Sequence, residues 1–225
     1  MGTLYLVRHG QASFGAADYD QLSELGTRQC HALGAWFANS GLRFEAAMTG
    51  TLRRHAQSLA AITAGHGDVP AALVWPGLDE YDAGALVRAH LGGPLPEAAL
   101  QDSPDVVKAH FRLLRNALAA WMAGRTRPAG MPSWPDFVAG VAGALDHVRQ
   151  QHVGDVLIVS SGGPIATAVG QVLGMGTEAT IELNLRIRNS AVTELAFNPK
   201  RHHLLSFNHL PHLPAPERAG WVTYA

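Results

Sequence analysis

Short apolar runs alternate with longer amphipathic segments along most of the chain. Six runs, rich in Leu, Val, Ile and Ala, predict strands. The last two flank Pro199 and predict a hairpin at an antiparallel edge. Alternating strands and helices predict a three-layer α/β fold, a mainly parallel sheet with helices on both faces. The predicted strands lie near residues 4–7, 44–49, 71–75, 155–160, 190–198 and 202–208.

The amphipathic segments carry start and stop signals for helices. Ser23 is predicted to begin the first helix, which ends near Gly41. Thr51 is predicted as the N-cap of the second helix and Gly65 as its end. The segment after residue 210 holds too many prolines for a regular element. Later helices are predicted near residues 135–152 and 165–176.

Residues 78–132 break the pattern. They begin with a stretch rich in Gly, Pro and acidic residues, and a helix follows that starts near Ser103 and Pro104. We interpret this region as an insertion that covers a site, within a single domain spanning residues 1–225. The alternative is a surface subdomain without a functional role.

Composition argues against several classes of protein. The chain has 225 residues, 47% hydrophobic and 16% charged, with a formal net charge of −1, so it lacks the basic excess of nucleic-acid-binding proteins. Cys30 is the sole cysteine, which excludes an intramolecular disulfide. No leader and no apolar run of about 18 residues is seen, so we expect a cytoplasmic protein with no membrane partner. The 12 histidines are scattered, and we expect no metal and no cofactor.

The end of the first strand carries the first candidate chemistry. "LYLVRHG" places Arg8 and His9 directly after a buried run, and Gly10 follows. Ligands of parallel α/β sheets bind outside the carboxyl ends of strands, and glycine lets the backbone lie close to a ligand. The stretch therefore predicts an anion site with His9 at its centre.

Three further motifs follow in order along the chain: "TGTLRRHAQS", "LDEYDAG" and "SSGGPI". Together with "LVRHG" they resemble the histidine phosphatase superfamily, which includes cofactor-dependent phosphoglycerate mutase. The resemblance spans Leu4 to about Leu195. It implies a phosphoglycerate mutase-like fold and phosphoryl transfer through a phosphohistidine.

The resemblance also implies roles for residues of this chain. Arg8 matches a phosphate-binding arginine and His9 the nucleophile. Arg54 matches the second phosphate-binding arginine, with Arg53 as the alternative if the helix shifts by one residue.

The acidic motif supplies the proton donor that the resemblance implies. Glu80 matches it, with Asp79 or Asp82 as the alternative. A carboxyl with a raised pKa could protonate an alkoxide leaving group and later activate water.

Two positions depart from the family pattern. Ser161 stands where the family has a histidine, in the phosphate-binding turn that includes Gly162. The stretch from Ser13 to Gly15 stands where an asparagine often follows the first motif. Arg186, Arg188 or a late histidine is a possible substitute for the missing histidine.

The residue types suit phosphoryl transfer for physical reasons as well. A neutral imidazole attacks a phosphate dianion without charge repulsion, provided that its other nitrogen donates to a backbone carbonyl. Guanidinium groups bind phosphate through paired hydrogen bonds and disfavour protonation of the imidazole. Positioning and charge provide most of the catalysis, so the chemistry requires no metal.

We therefore predict a metal-independent hydrolase of a small phosphate monoester, slow if Ser161 is a poor substitute for histidine. A phospho-ligand-binding protein without turnover is the main alternative. A phosphomutase ranks lower because Lys108 and Lys200 are the only lysines that could help hold a long, charged substrate. A phosphoprotein phosphatase would need an open site. The sequence predicts neither the substrate nor the oligomeric state.

Overall fold

The computed structural model describes residues 1–13, 20–94, 104–213 and 216–224, and its centre is a six-stranded sheet. The strands are ordered β3-β2-β4-β1-β5-β6. The first four pair in parallel, while β5 runs antiparallel to both β1 and β6. Their bounds are β1 Gly2–Arg8, β2 Phe44–Thr49, β3 Ala72–Val74, β4 Asp155–Ser160, β5 Val192–Asn198 and β6 Arg201–His209.

Seven α-helices accompany the sheet in the described residues. The predicted α/β fold, with helices on both faces and an edge hairpin, is confirmed. The helices are α1 Glu24–Asn39, α2 Arg53–His66, α3 Ala83–Leu91, α4 Pro104–Met122, α5 Trp134–Gln151, α6 Gly162–Leu173 and α7 Thr177–Asn184.

Alternate residues of β1 enter two separate hydrophobic cores. Leu4 and Leu6 pack in one core with residues of α3, α4, α5 and α6. Tyr5 and Val7 pack in the other with residues of α1 and α2. This period of two is the geometry of a strand that is buried on both faces. It explains why the run is apolar without interruption.

The helices that follow β1 and β4 lie on opposite faces of the sheet. Helix α1 contributes Leu33 and Phe37 to one core, and α6 contributes Ile165 and Ala166 to the other. Because β1 and β4 are adjacent, their chains diverge where the strands end. Such divergence opens the crevice in which α/β proteins bind ligands.

The second helix differs from its prediction at both ends. It begins after Leu52, not Thr51, and ends at Gly67, which adopts a left-handed φ of 88°. Thr51 instead donates its backbone N–H and its hydroxyl to Asp79, at 2.6 and 2.5 Å. Gly65 lies inside the helix, where an added Cβ would meet the backbone oxygen of His31 at 2.2 Å. It is therefore a packing glycine rather than a stop.

The region of residues 78–132 is more regular than its composition indicated. Helix α3 was not predicted there, and its Leu86 and Val87 are fully buried. Trp121 of α4 is 1% exposed and packs in the same core as β1. The region thus shares the hydrophobic core of the sheet, because its apolar helix faces pack against the strands. Residues 95–103 of the predicted cover lie outside the described residues.

Other elements were not predicted either, among them a helix after α6 and a 3₁₀ helix in the tail. Helix α7 follows α6 closely and packs against it. A 3₁₀ helix, Pro216–Trp221, lies in the tail where prolines argued against regular structure. A proline at the first position of a helix costs no hydrogen bond, since that N–H has no intrahelical partner.

Candidate active site

His9 lies at the carboxyl end of β1 and is 4% exposed. Its Nδ1 is 2.7 Å from the carbonyl oxygen of Gly10, and Nε2 is 3.3 Å from Nε of Arg54. A carbonyl can only accept a hydrogen bond, so Nδ1 carries the proton. A guanidinium can only donate, so Nε2 presents its lone pair. Burial, then the charges of Arg8 and Arg54, lower the pKa of His9 well below 6.5. The imidazole is therefore neutral and unprotonated at Nε2.

Arg8 is the last residue of β1 and pairs with Ser160 of β4. Its Nη1 donates to the backbone oxygens of Ile187 and of Tyr224, the latter at 2.5 Å. Its positive charge acts on both His9 and Glu80, whose pKa values it lowers. The guanidinium thus sits between the strand ends and the C-terminal segment.

Arg54 lies in the first turn of α2 and is 8% exposed. Asp20 accepts from its Nη1 at 2.7 Å and from the backbone N–H of Arg53 at 2.8 Å. A carboxylate therefore occupies the N-terminal end of α2, where backbone N–H groups and the helix dipole favour an anion. Arg54, not the exposed Arg53, is the arginine beside His9.

Glu80 approaches the first turn of α6 from the loop after β3. Both of its oxygens lie 3.1 Å from the backbone nitrogen of Gly163, and the N–H of Tyr81 donates to Oε1 at 3.3 Å. A Cβ at Gly163 would lie 2.1 Å from Glu80 Oε1, so only glycine permits this approach. Burial raises the pKa of Glu80, although the backbone hydrogen bond and the two site arginines partly oppose it.

Ser161 is the N-cap residue of α6 and is fully buried. Its hydroxyl does not bond the helix backbone, and its Oγ instead lies 2.7 Å from Nε2 of His55. Gly162, also buried, begins the helix. The structure thus brings together all six residues expected at the site from the sequence: Arg8, His9, Arg54, Glu80, Ser161 and Gly162.

The residues that the sequence offered as alternatives to Glu80 and as substitutes for the absent histidine make other hydrogen bonds. Asp79 accepts hydrogen bonds from Thr51, and Asp82 caps α3 through the N–H of Ala85. Arg186 donates to Glu182, and Arg188 donates to Asn208. Residues 14–15, next to Ser13, lie outside the described residues.

Comparison with known proteins agrees with this geometry. The model of the histidine phosphatase superfamily (branch 1) matches residues 4–210. The chain belongs to the histidine phosphatase superfamily. No protein with a curated description matches the sequence.

Solved structures share the fold of this histidine phosphatase superfamily member at low sequence identity. A phosphoserine phosphatase mutant from Entamoeba histolytica, in complex with phosphoserine, is 19% identical, with a TM-score of 0.64 over 95% of this chain and 100% of that one. A putative α-ribazole-5′-P phosphatase from Escherichia coli is 18% identical, with a TM-score of 0.66 over 93% and 97%. A mycobacterial glucosyl-3-phosphoglycerate phosphatase is 21% identical, with a TM-score of 0.66 over 92% and 99%.

Two residues of this site were missed by sequence reasoning. Asp20 follows no motif, and its contact with Arg54 arises only when residues 34 positions apart fold together. His55 did carry a signal, since it follows Arg54 in the first turn of a helix and shares its helix end. The substitutes that the sequence suggested for the absent histidine all follow β4, whereas His55 lies on α2.

The described residues contain no group of three His, Cys, Asp or Glu side chains that could hold a metal ion. Among the helices in the described ranges, none has the length and apolar character needed to cross a membrane.

Proposed function

We propose that the protein is a metal-independent phosphatase that hydrolyses a small phosphate monoester through a phosphohistidine on His9. One observation carries the proposal. The Nε2 lone pair of a buried, neutral His9 lies beside the Arg54 guanidinium, while the Gly10 carbonyl fixes the proton on Nδ1. An unprotonated ring nitrogen beside a cation that can bind phosphate is what nucleophilic attack on phosphorus requires.

In the first step Nε2 of His9 bonds to phosphorus as the bond to the leaving oxygen breaks. Arg8, Arg54 and the first turn of α6 at Ser161 and Gly162 bind the phosphoryl oxygens. Glu80, whose raised pKa favours the protonated form, gives its proton to the leaving oxygen. In the second step Glu80 takes a proton from water, which attacks phosphorus and frees His9.

The substrate is proposed to be small and phosphorylated. The phosphoserine, α-ribazole-5′-P and glucosyl-3-phosphoglycerate phosphatases that share the fold are consistent with this class. We expect slow turnover, since the neutral Ser161 hydroxyl lacks the positive charge that a protonated histidine would bring to the phosphoryl oxygens. The competing function, phospho-ligand binding without turnover, draws its support from the same serine.

Rapid quench with a ³²P-labelled aryl phosphate tests the proposal. We expect an acid-labile, base-stable phosphoprotein, turnover that a metal chelator leaves unchanged, and loss of both signals in His9→Ala. His152→Ala, at the opposite end of the sheet, is the matched control and should keep both. Undiminished labelling of His9→Ala would exclude His9 as the acceptor. Tight phosphate binding with no label in the unmodified protein would favour the binding function.

A further inference from the structure

His55 places a second imidazole beside His9. It is the third residue of α2, directly after Arg54, and is fully buried. The two rings have centroids 5.8 Å apart and an interplanar angle of 36°. A helix normally carries an apolar residue at such a buried position, because desolvation of a polar ring must be offset by hydrogen bonds.

The hydrogen-bond partner of the His55 ring is Ser161, a serine at an N-cap position whose side chain does not cap its helix. An N-cap serine usually accepts from the N–H two or three residues ahead. Ser161 makes no such bond, and its Oγ lies 2.7 Å from Nε2 of His55. The hydroxyl is therefore oriented by the imidazole rather than by the helix that it begins.

The pairing of β1 with β4 places Ser161, and with it His55, beside His9. Arg8 and Ser160 are paired on neighbouring parallel strands, and the N–H of His9 donates to the Ser160 carbonyl at 2.9 Å. His9 and Ser161 are the next residues of the two strands, so they leave the sheet side by side. Ser161 thus lies next to the position that a phosphoryl group on His9 would occupy.

The other nitrogen of His55 faces an acid. Nδ1 is buried, has no hydrogen-bond partner, and lies 3.8 Å from Oδ1 of Asp79. Gly50 makes room for both groups, since an added Cβ would lie 2.5 Å from Nδ1 and 2.4 Å from that oxygen. Burial and the charge of Arg54 lower the pKa of His55 to about 3, so the ring holds one proton at neutral pH.

The position of that proton decides what Ser161 offers a ligand. If Nε2 accepts, the serine proton points at His55 and a phosphoryl oxygen meets only lone pairs. If Nε2 donates to Oγ, the serine proton is free for the phosphoryl oxygen. The Asp79 carboxylate near Nδ1 favours the first arrangement, whereas an anion at His9 favours the second.

We propose that His55 is a positioning residue, which donates from Nε2 to Ser161 Oγ and so directs the serine hydroxyl to donate to a phosphoryl oxygen at His9. Helix α2 then serves the site twice, through Arg54 directly and through His55 by way of Ser161. The assignment of this role to the reaction rests on the proposed phosphatase function, whereas the hydrogen-bond chain itself requires only that the site binds phosphate.

Nitrogen NMR of the imidazole tests the chain in the unmodified protein. With ¹⁵N-histidine labelling and inorganic phosphate as the probe, His55 should show a protonated Nε2, and His55→Gln provides the assignment. An unprotonated Nε2 in the phosphate-bound protein would overturn the proposal. Absence of phosphate binding at millimolar concentration would overturn it as well.

A double-mutant cycle tests the role in turnover. His55→Leu and Ser161→Ala should each lower kcat on an aryl phosphate by roughly tenfold to a hundredfold, the value of one hydrogen bond to a charged group. The double variant should be no more than about threefold below Ser161→Ala, since both changes remove one interaction. Fully additive losses, or no loss in either single variant, would contradict the proposal.

Two further variants separate positioning from packing. His55→Gln should recover part of the kcat lost in His55→Leu, because its amide can donate to Ser161. His66→Leu, at the last turn of the same helix, should stay within about twofold of the unmodified protein. If the His55 signal appears with phosphate but His9 is never labelled, the hydrogen-bond chain stands and the phosphatase function falls.

Discussion

The two ends of the parallel strands each hold a glutamate that accepts from the backbone of a glycine, yet the two acids differ in kind. At the carboxyl end, Glu80 accepts from Gly163 N–H at 3.1 Å, and burial raises its pKa. At the amino end, Glu45 accepts from Gly154 N–H at 2.5 Å, and its pKa is lowered mainly by that bond. Glu45 has a side chain that is 38% exposed.

The same kind of hydrogen bond is therefore found at a glutamate with a raised pKa, Glu80, and at one with a lowered pKa, Glu45. Desolvation disfavours the charged form, and at the buried end it exceeds the stabilisation from one N–H. Water keeps the carboxylate of Glu45 solvated, so its hydrogen bonds determine the direction of its pKa shift. Of these two acids, Glu80 is the one whose surroundings favour the protonated form.

Glu80→Gln is expected to give the largest effect on turnover. Removal of the proposed general acid should lower kcat/KM for an alkyl phosphate by about a thousandfold, but by less than about tenfold for an aryl phosphate whose leaving group needs no proton. Glu45→Gln, the acid at the other end, should leave both within about twofold. Steady-state kinetics on the two substrates measures this. Equal losses on both in Glu80→Gln would remove its role as the acid.

Arg54→Ala should follow, with a loss of about a hundredfold in kcat/KM, or about 3 kcal/mol, because the proposed donor to the transferring phosphoryl group disappears. Arg53→Ala is the control on the neighbouring residue. Its side chain is exposed, so kcat/KM should change by less than about threefold. A larger loss in Arg53→Ala would shift the assignment by one residue.

Gly163→Ala and Gly154→Ala compare the two glycine contacts directly. The added Cβ at Gly163 would meet Glu80 Oε1 at 2.1 Å and the Tyr81 ring at 2.7 Å, and the ring is packed against Trp121. We expect a loss of about 1–2 kcal/mol in the free energy of unfolding, net of the better helix propensity of alanine. At Gly154 the Cβ meets the end of the flexible Glu45 side chain at 2.7 Å, and the cost should be about 0.5 kcal/mol or less. Urea denaturation measures both, and equal losses would show that the two ends are packed alike.

The smallest effect is on the pH dependence of stability. The pKa of His55 is about 3 in the folded protein and near 6.5 when unfolded, so the unfolded chain binds more protons between these values. The contribution of neutral His55 to the free energy of unfolding is complete above about pH 6.5. It is lost as the pH falls, by about 1 kcal/mol between pH 6 and pH 5. His55→Gln should reduce the slope by that amount. An unchanged slope in His55→Gln would contradict a buried neutral imidazole.

The sequence by itself determined the fold class and named six residues that the structure brings together at the candidate site. The apolar run before Arg8 and His9 requires a buried strand, and strand ends of a parallel sheet meet at one edge, so local pattern and topology suffice. Glu80 and Ser161 were implied by the resemblance of their motifs to the histidine phosphatase superfamily rather than by local pattern.

The tertiary structure decided what depends on packing between distant segments. Helix α3 was hidden by a local composition rich in Gly and acids, and burial of Leu86 and Val87 against the core stabilises it. The contact of Asp20 with Arg54 joins segments whose relative position no local pattern encodes. The pairing of His55 with Ser161 spans 106 positions, and only the docking of α2 beside β4 brings the two side chains within a hydrogen bond.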